Sequence, residues 1–261
     1  MSKTAVVTGA SSGIGWAVCE KLAALGWKVY GLSRRGTAPE GTTGVCADVT
    51  DPAAVRSAVE QAAAAEGCID LMVCNAGFGI SGPVEFASED EIRRIMDVNF
   101  LGQIRCMQAV LPYMRAAKSG TIVCVSSVAA PIAIPYQAFY SAGKAAVNAA
   151  ALALRNEVRS FGIKVTCVMP GDASTGFTDA RRKETAGDGV YLNGRSAVEA
   201  MEKDERHGMA PAKVADVIVK AGLKKCPAPL YTAGGSYKLL NGLFKFLPAR
   251  LSYWIVGKMY S

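Results

Sequence analysis

Residues 4–26 read TAVVTGASSGIGWAVCEKLAALG, and this stretch decides the fold. The apolar run at 4–8 has the length of a buried strand. After a glycine-rich turn, Val18 and Leu22 fall on one face of a helix that Gly26 would end. The stretch therefore predicts a strand, a tight turn and a helix in direct succession.

The turn, TGASSGIG at 8–15, admits two interpretations. As G-x-S-x-G it matches the strand-to-helix turn of serine hydrolases, with Ser11 as the nucleophile. That alternative needs a histidine base, and the only histidine, His207, lies in the polar segment EKDERHGMAP. As T-G-x-x-x-G-x-G the turn is typical of phosphate binding, because glycine lets backbone N–H groups approach an anion at a helix N-terminus. We favour the second interpretation.

Strands and helices alternate along the rest of the chain. The strand segments show little polar alternation, which indicates a parallel sheet covered on both faces. The predicted fold class is α/β, a single Rossmann-like doubly wound parallel sheet with ligands at the carboxyl ends of its strands. The predicted strands are 4–8, 28–33, 44–48, 70–75, 120–127, 164–170 and 230–233, and the predicted helices are 16–26, 51–67, 88–117 (as one helix or two) and 138–162.

Composition narrows the class of protein. Hydrophobic residues make up 51% of the 261 residues, enough for one large core. The eight cysteines form no C-x-x-C pair and lie mostly in apolar runs, which predicts buried thiols and no metal site. The net charge of +7 comes from widely spread basic residues, so we expect no nucleic-acid partner. The N-terminus lacks the features of a signal peptide, and with the free thiols this predicts a cytoplasmic location.

A second group of polar residues points to acid–base chemistry. Tyr140 and Lys144 are four residues apart in a predicted helix, so they share a face. An ammonium beside a phenol favours the phenolate, which lowers the pKa of the tyrosine towards neutral pH and makes it a usable general acid–base. Ser127 ends the preceding predicted strand, and a strand end and the next helix start can meet in one pocket.

Together these motifs resemble the short-chain dehydrogenase/reductase family over about residues 3–235. The resemblance implies that Tyr140 exchanges a proton with a carbonyl or hydroxyl oxygen that Ser127 binds. It also implies that Lys144 lowers the pKa of Tyr140 and binds the nicotinamide ribose, and that Asn99 holds a water linked to Lys144. The motifs that carry the resemblance are TGASSGIG (8–15), Asp48, CNAG (74–77), Asn99 in VNFLG, Ser127, YSAGK (140–144) and PGDAST (170–175).

The resemblance further implies a nicotinamide cofactor, which carries the hydride. We expect NADP(H), because the second strand ends at Ser33 without an acid for a ribose 2′-hydroxyl, and Arg34 and Arg35 follow. The expected cofactor-binding residues are Gly9, Ser11, Ser12, Gly13, Ile14, Gly15, Ser33, Arg34, Asp48, Val49, Asn75, Ala76, Gly77, Tyr140, Lys144, Pro170, Gly171 and Thr175.

Two segments bear on the substrate. Residues 1–236 are predicted as the catalytic domain, in which the polar segment 176–209 forms a mobile lid. Residues 237–261 are predicted as an amphipathic basic extension with three open interpretations: packing on the domain or a neighbouring subunit, a wall of the substrate entrance, or peripheral contact with a membrane surface. The extension resembles that of family members acting on steroid, retinoid or keto-lipid substrates, so we expect a bulky hydrophobic ketone or secondary alcohol.

Other functions and assemblies stay open at this point. One alternative is a catalytically silent sensor of NADP(H) with the same fold, although it would not need Tyr140 or Lys144. Another is a reductase of small ketones. From the family resemblance we expect a homodimer or homotetramer, with the helical segments 88–117 and 138–162 at the interface.

Overall fold

A computed structural model describes residues 2–187 and 189–259, so residue 188 of the predicted lid and the last two residues of the predicted extension lie outside it. The strands are β1 (Thr4–Thr8), β2 (Lys28–Ser33), β3 (Thr43–Cys46), β4 (Leu71–Cys74), β5 (Ile80–Ser81), β6 (Gly120–Val125), β7 (Ile163–Pro170), β8 (Arg182–Lys183) and β9 (Leu230–Ala233). The helices are α1 (Gly13–Ala24), α2 (Pro52–Glu66), α3 (Glu89–Met96), α4 (Gly102–Ala116), α5 (Ala138–Glu157), α6 (Gly194–Arg206), α7 (Pro211–Leu223), α8 (Gly235–Phe244) and α9 (Ala249–Met259).

The main sheet is parallel throughout and has β1 at its centre. Its seven strands lie in the order β3-β2-β1-β4-β6-β7-β9. β1 pairs on both sides, with Val7 opposite Gly31 of β2 and Val73 of β4. The strand order reverses between β1 and β4, and this switch point leaves a crevice at the carboxyl ends of the strands. The predicted α/β class with a single doubly wound sheet is confirmed.

Helices cover both faces of the sheet because both faces are apolar. On one face α1 and α7 pack together through Val18, Leu22 and Ile218. On the other face α2, α4 and α5 bury residues such as Val110 and Val147. Asp51 caps α2, since its side chain accepts hydrogen bonds from two backbone N–H groups of the first turn.

Several predicted boundaries were wrong. β6 ends at Val125, so Ser127 lies in the turn beyond the strand, and β3 ends at Cys46, two residues before Asp48. α5 ends at Glu157 because a short 3-10 turn follows it. α1 begins at Gly13, three residues earlier than predicted, so the last part of the glycine-rich turn is already helical.

The long helical segment at 88–117 is interrupted by a π-helical turn. α3 and α4 are joined by this turn at Asp97–Leu101. A π-turn inserts an extra residue into the helix and is frequent at functional sites. Here it brings Asn99 into the interior, where the residue is fully buried.

Three features were not predicted from the sequence. α6 lies inside the predicted lid, and β8 of the same segment pairs with β5 in a small parallel sheet. α7 covers the sheet with its apolar face and starts at Pro211, a residue that suits the first turn of a helix.

Within residues 2–187 and 189–259, none of the helices is long and apolar enough to cross a bilayer. All eight cysteines are free, and five of them are buried.

Candidate active site

A cleft of about 1410 Å³ opens at the carboxyl ends of the central strands. It is larger than the roughly 300–1,000 Å³ of an ordinary small-molecule site, so it has room for a dinucleotide and a second molecule. Two of the predicted site residues, Gly15 and Asn99, lie behind its wall. The others line it: Gly9, Ser11, Ser12, Gly13, Ile14, Ser33, Arg34, Asp48, Val49, Asn75, Ala76, Gly77, Ser127, Tyr140, Lys144, Pro170, Gly171 and Thr175.

The glycine-rich turn after β1 is shaped for close approach of a ligand. Gly9 and Gly13 adopt left-handed φ angles of 68° and 58°, which favour glycine. A side chain on Gly15 would collide with the Gly9 carbonyl oxygen, so Gly15 lets α1 start directly against the turn. Ser12 at the N-cap makes no capping hydrogen bond with its side chain to any residue that the structure describes. The first N–H groups of α1 are therefore available to an anion.

The corner after β2 carries positive charge. Ser33 is buried, and its hydroxyl donates a hydrogen bond to the Thr37 carbonyl oxygen at 3.1 Å. Arg34 and Arg35 follow it, and both exposed side chains line the cleft. The turn from 33 to 37 contains no acidic residue, so this corner suits a phosphate group.

Two further turns, one after β3 and one after β4, complete the wall. The backbone N–H groups of Asn75 and Ala76 donate to Thr8 Oγ1 at 2.9 and 3.1 Å, which holds the loop after β4 against β1. The Asp48 carboxylate accepts hydrogen bonds from the Thr50 backbone N–H and hydroxyl at 2.9 and 2.8 Å. These bonds fix the shape of the cleft at Asp48, Asn75 and Ala76, three of the expected cofactor-binding residues.

Ser127 and Tyr140 meet at the other end of the cleft. Tyr140 lies in the first turn of α5, with the Ser127 side chain near its hydroxyl. Burial raises the pKa of Tyr140 to about 12. The Ser127 hydroxyl opposes this rise, the carboxylate of Glu205 adds to it, and the Arg181 guanidinium opposes it. The phenol is therefore protonated at neutral pH.

Lys144 lies one helical turn further along α5 and is 4% exposed. Its Nζ donates to the Val125 carbonyl oxygen at 2.9 Å and lies 5.8 Å from the centre of the Tyr140 ring. Burial lowers the pKa of Lys144 to about 8, while Cys124 and Cys167, adjacent across β6 and β7, oppose the shift. The sequence predicted that Lys144 lowers the pKa of Tyr140, but burial is the larger influence and raises it.

Lys144→Met is expected to change how stability depends on pH. The folded-state pKa of about 8 lies below the ordinary 10.5, so the folded chain carries the full penalty of a buried charge below pH 8 and loses it by pH 10.5. Over that range the free energy of unfolding of the wild type should rise by about 3 kcal/mol relative to the variant. Urea denaturation at both ends of the range measures this difference. Lys213→Met, at an exposed position, is the control. If the difference in free energy of unfolding between wild type and variant were independent of pH for both variants, the prediction would be contradicted.

Asn99 organises the loop after β4 from behind the wall. Its Nδ2 donates to the Phe78 carbonyl oxygen at 2.8 Å, and its Oδ1 accepts from the Phe78 N–H at 3.0 Å. A Cβ placed on Gly77 would lie 3.1 Å from Asn99 Oδ1 and 3.5 Å from Lys144 Nζ. The two polar groups thus converge on Gly77. The water that the family resemblance assigns to Asn99 stays a prediction.

The lid contributes groups that sequence reasoning missed. Phe177 packs edge-on against Tyr140, with ring centroids 5.6 Å apart. The Arg181 side chain is 0% exposed and forms an ion pair with Glu205, whose carboxylate also accepts from the Thr178 hydroxyl at 2.8 Å. The predicted lid therefore contacts the site through the Phe177 ring, and the ion pair between Arg181 and Glu205 joins two parts of the lid to each other. Its polar composition indicated neither contact.

The first turn of α8 also contacts the site. A side chain on Gly171 would collide with the ring of Tyr237, so only glycine leaves room for this ring. The Tyr237 hydroxyl donates a hydrogen bond to the Asp172 carboxylate, which lines the cleft. Burial raises the pKa of Asp172, and the Tyr237 hydrogen bond opposes that rise. The first residue of the predicted extension thus packs directly on Gly171, one of the expected cofactor-binding residues.

The hydrolase alternative finds no support in this arrangement. Ser11 lines the cleft, as a phosphate-binding turn requires. His207 is exposed at the end of α6, with its Nδ1 2.7 Å from the Lys203 carbonyl oxygen, and is not among the described residues that line the cleft. Ser11 therefore has no histidine base in the cleft.

The residues present fit a dinucleotide cofactor. The uncapped start of α1 and the two left-handed glycines form a cradle that backbone N–H groups face, and this suits a diphosphate. The cations after β2 lie at one end of the cleft wall, and the Ser127, Tyr140 and Lys144 group lies at the other. The cleft therefore lies at a switch point of a parallel sheet, the place where such sheets bind dinucleotides.

Comparison with known proteins agrees with this geometry. A family model described as short chain dehydrogenase matches residues 3–186. The chain is 40% identical over 258 residues to 3-ketodihydrosphingosine reductase of Bacteroides thetaiotaomicron, which covers 97% of this chain and 93% of that protein. It is 32% identical over 197 residues to 17-beta-hydroxysteroid dehydrogenase type 1 of Homo sapiens, covering 67% of this chain and 60% of that protein. A solved short-chain dehydrogenase from Streptomyces avermitilis matches with a TM-score of 0.85 at 30% identity, covering 97% of this chain and 96% of that one. The chain is therefore an oxidoreductase that belongs to the short-chain dehydrogenase/reductase family.

Proposed function

We propose that this oxidoreductase interconverts a ketone and a secondary alcohol on a bulky, lipid-like substrate, with NADP(H) as its cofactor. The observation that carries the proposal is the meeting of Ser127, Tyr140 and Lys144 at one end of a cleft whose other end carries Arg34 and Arg35. A proton donor, an oxygen-binding hydroxyl and a cation within one pocket are the groups that reduction of a carbonyl needs.

Tyr140 supplies the proton in this mechanism. With a pKa of about 12, its phenol stays protonated at neutral pH and can donate to the oxygen of the carbonyl being reduced. Ser127, which lies near the Tyr140 hydroxyl, donates to the same oxygen as negative charge develops there. The ammonium of Lys144 stabilises the phenolate that remains. In the oxidative direction the same groups accept the proton and release the ketone.

The cofactor supplies the hydride when it is bound. The glycine-rich turn and the start of α1 would hold its diphosphate. The loop after β4 would hold the adenosine side, and the segment after β7 the nicotinamide side. The residues proposed to contact these parts are Gly9, Ser11, Ser12, Gly13, Ile14, Asp48, Val49, Asn75, Ala76, Gly77, Pro170, Gly171 and Thr175, all of which line the cleft.

Arg34→Ala is expected to weaken catalysis with NADPH selectively. One phosphate-binding guanidinium contributes about 10–100-fold, so kcat/KM for NADPH should fall by that factor while the value for NADH stays unchanged. Both values are measured in steady state with the same ketone. Arg56→Ala on α2 removes an exposed arginine that is not among the described residues lining the cleft, and serves as the control. A wild-type enzyme that prefers NADH would contradict the assignment.

Apolar side chains support a hydrophobic substrate. Phe177 packs against Tyr140, and Val128, Ile134 and Met201 line the same cleft. Burial of an alkyl chain or fused ring against such residues gives roughly 25 cal/mol per Å². The relatives named for keto-lipid and steroid chemistry agree with this choice.

Carboxylates at the same end of the cleft suggest a substrate with an amino group. Asp172, Asp204 and Glu205 line it, and both Asp172 and Glu205 raise the pKa of Tyr140. Because Glu205 already forms an ion pair with Arg181, Asp172 and Asp204 are the carboxylates that a substrate cation would meet. A ketone with a neighbouring ammonium would place its positive charge among these groups when the carbonyl oxygen meets Tyr140. The relative that is 40% identical is named for 3-ketodihydrosphingosine, a keto-lipid of that type. We therefore propose a 3-keto sphingoid base as the substrate class.

A panel of ketones tests the substrate assignment through the loss of NADPH absorbance. It contains 3-ketodihydrosphingosine, its N-acetyl derivative, a 3-ketosteroid and a small polar ketone. We expect the highest kcat/KM for the free-amine keto-lipid and a lower value for the N-acetyl derivative, whose charge is removed. Turnover of the small polar ketone alone would contradict the lipid assignment. Tight NADPH binding without turnover of any ketone would favour the silent sensor.

A further inference from the structure

Helix α8 presents an apolar stripe to the outside of the molecule. Leu239 and Leu243 are four residues apart and are 77% and 51% exposed. Phe246, just beyond the helix end, continues the stripe and is 88% exposed. The opposite side of the helix is anchored by Asn241, whose Nδ2 donates to Thr232 Oγ1 at 3.2 Å. The stripe therefore faces away from the core, although burying such side chains would be favourable.

Helix α9 extends this apolar surface with aromatic rings. Trp254 is 61% exposed and Tyr253 is 56% exposed, while Ser252 and Val256 of the same helix face inwards and are buried. Amphipathic rings of this kind are enriched where a membrane meets water. We name the exposed apolar residues of α8, α9 and their connection the tail surface: Leu239, Leu243, Phe246, Leu251, Tyr253, Trp254 and Met259.

The tail surface lies in a segment with only positive charges. Residues 237–261 contain Lys238, Lys245, Arg250 and Lys258 and no acidic residue. The chain has 29 basic and 22 acidic residues, so these four cations account for four of the seven excess positive charges. No helix among the described residues could span a bilayer, and the arrangement matches helices that lie in the interface instead.

Charge decides between the partners that could cover this surface. In a symmetric dimer built on this surface the same patch would face itself. The cations of each copy would then face the cations of the other, and the segment contributes no acidic residue to such an interface. An anionic bilayer offers both complements at once: acyl chains for the apolar side chains and negative headgroups for the cations.

We propose that α8 and α9 dock this protein on the surface of an anionic lipid bilayer. The inference concerns where the protein sits and does not depend on the identity of its substrate. Tyr237 connects this surface to the cleft, because its ring packs on Gly171 and its hydroxyl bonds Asp172. Docking would therefore hold one side of the cleft close to the lipid.

The test is sedimentation of the full chain with vesicles. Vesicles of phosphatidylcholine and phosphatidylserine are expected to carry the wild type down, and vesicles of phosphatidylcholine alone much less. Lys238→Gln combined with Lys245→Gln should lower the partition coefficient on the anionic vesicles by about thirty-fold. Leu239→Ser combined with Leu243→Ser and Phe246→Ser should abolish binding, and thermal unfolding confirms that this exposed-site variant folds.

The matched control removes two cations elsewhere. Arg159→Gln combined with Lys225→Gln changes exposed residues that precede β7 and β9, at the amino-terminal ends of the strands and so opposite the cleft. This variant should bind anionic vesicles like the wild type. The proposal would be overturned if the control lost as much binding as the lysine variant, or if the triple serine variant still bound. It would also be overturned if the wild type were a dimer that dissociates only in the triple serine variant. NADPH turnover of a detergent-dispersed ketone is measured in parallel, so a failed docking test is distinguishable from a failed assignment of function.

Discussion

Tyr140→Phe is expected to lower kcat by about 10²–10⁴-fold, the range that a positioned proton donor contributes. The substitution removes only the hydroxyl, which lies near Ser127. The ring that packs against Phe177 at 5.6 Å stays in place, so the lid and the cleft should keep their shape. The Kd for NADPH, measured by fluorescence titration, should therefore remain close to that of the wild type while turnover is lost.

Tyr136→Phe is the matched control for this prediction. Tyr136 lies in the turn before α5, four residues ahead of Tyr140, and its hydroxyl donates to Asn193 Oδ1 at 2.6 Å. It is not among the described residues that line the cleft, so its loss should leave kcat unchanged. Turnover that survives in Tyr140→Phe would show that another group supplies the proton. A wild type that binds NADPH without turnover would identify the silent sensor instead.

Glu205→Ala is expected to lower the free energy of unfolding by about 3–5 kcal/mol, because it leaves a buried guanidinium without its counter-charge. Arg181 is suited to such a large effect. Its side chain is 0% exposed, and its Nε and Nη1 already have no hydrogen-bond partner among the described residues. Removing the carboxylate also removes a negative charge that raises the pKa of Tyr140, so the basic limb of the kcat profile should move to lower pH.

Two comparisons separate this effect from ordinary loss of an ion pair. Glu89→Ala breaks an Arg–Glu pair in which both side chains are about three-quarters exposed, so its cost should stay below about 1 kcal/mol. Replacing Arg181 and Glu205 together by methionine should recover much of the lost stability, because an apolar pair of similar volume needs no desolvation of charge. Urea denaturation measures all three variants. Equal losses in Glu205→Ala and Glu89→Ala would contradict the buried-pair interpretation.

The sequence was sufficient to predict those strands of the fold that are completely buried. β1, β4 and β6 are buried at every position, so each reads as a short apolar run between turn residues. α6 was missed because its inward face includes the buried carboxylates Glu202 and Glu205, which hide the apolar periodicity of a helix. α7 was overlooked although Pro211 and its apolar spacing gave a usable signal.

The site could be predicted only where its residues lie in short motifs. Tyr140 and Lys144 are one turn apart, so their proximity follows from helical geometry alone. The Arg181–Glu205 pair and the Tyr237–Asp172 hydrogen bond join residues far apart in the chain. Tertiary packing creates these contacts, so the local spacing of residues in the sequence does not predict them. The pKa of Tyr140 was also beyond sequence reasoning, because burial, which only the structure reveals, outweighs the neighbouring charges.

The strand order has a consequence for how the protein is made. β7 pairs with β6 on one side and with β9 on the other. β9 begins only at Leu230, so it is synthesised well after β7. A chain released from the ribosome before that residue would leave the buried, apolar edge of β7 unpaired. Unpaired edges are templates for association with other chains. Products truncated late in translation are therefore expected to aggregate, even though most of the catalytic residues have already been synthesised.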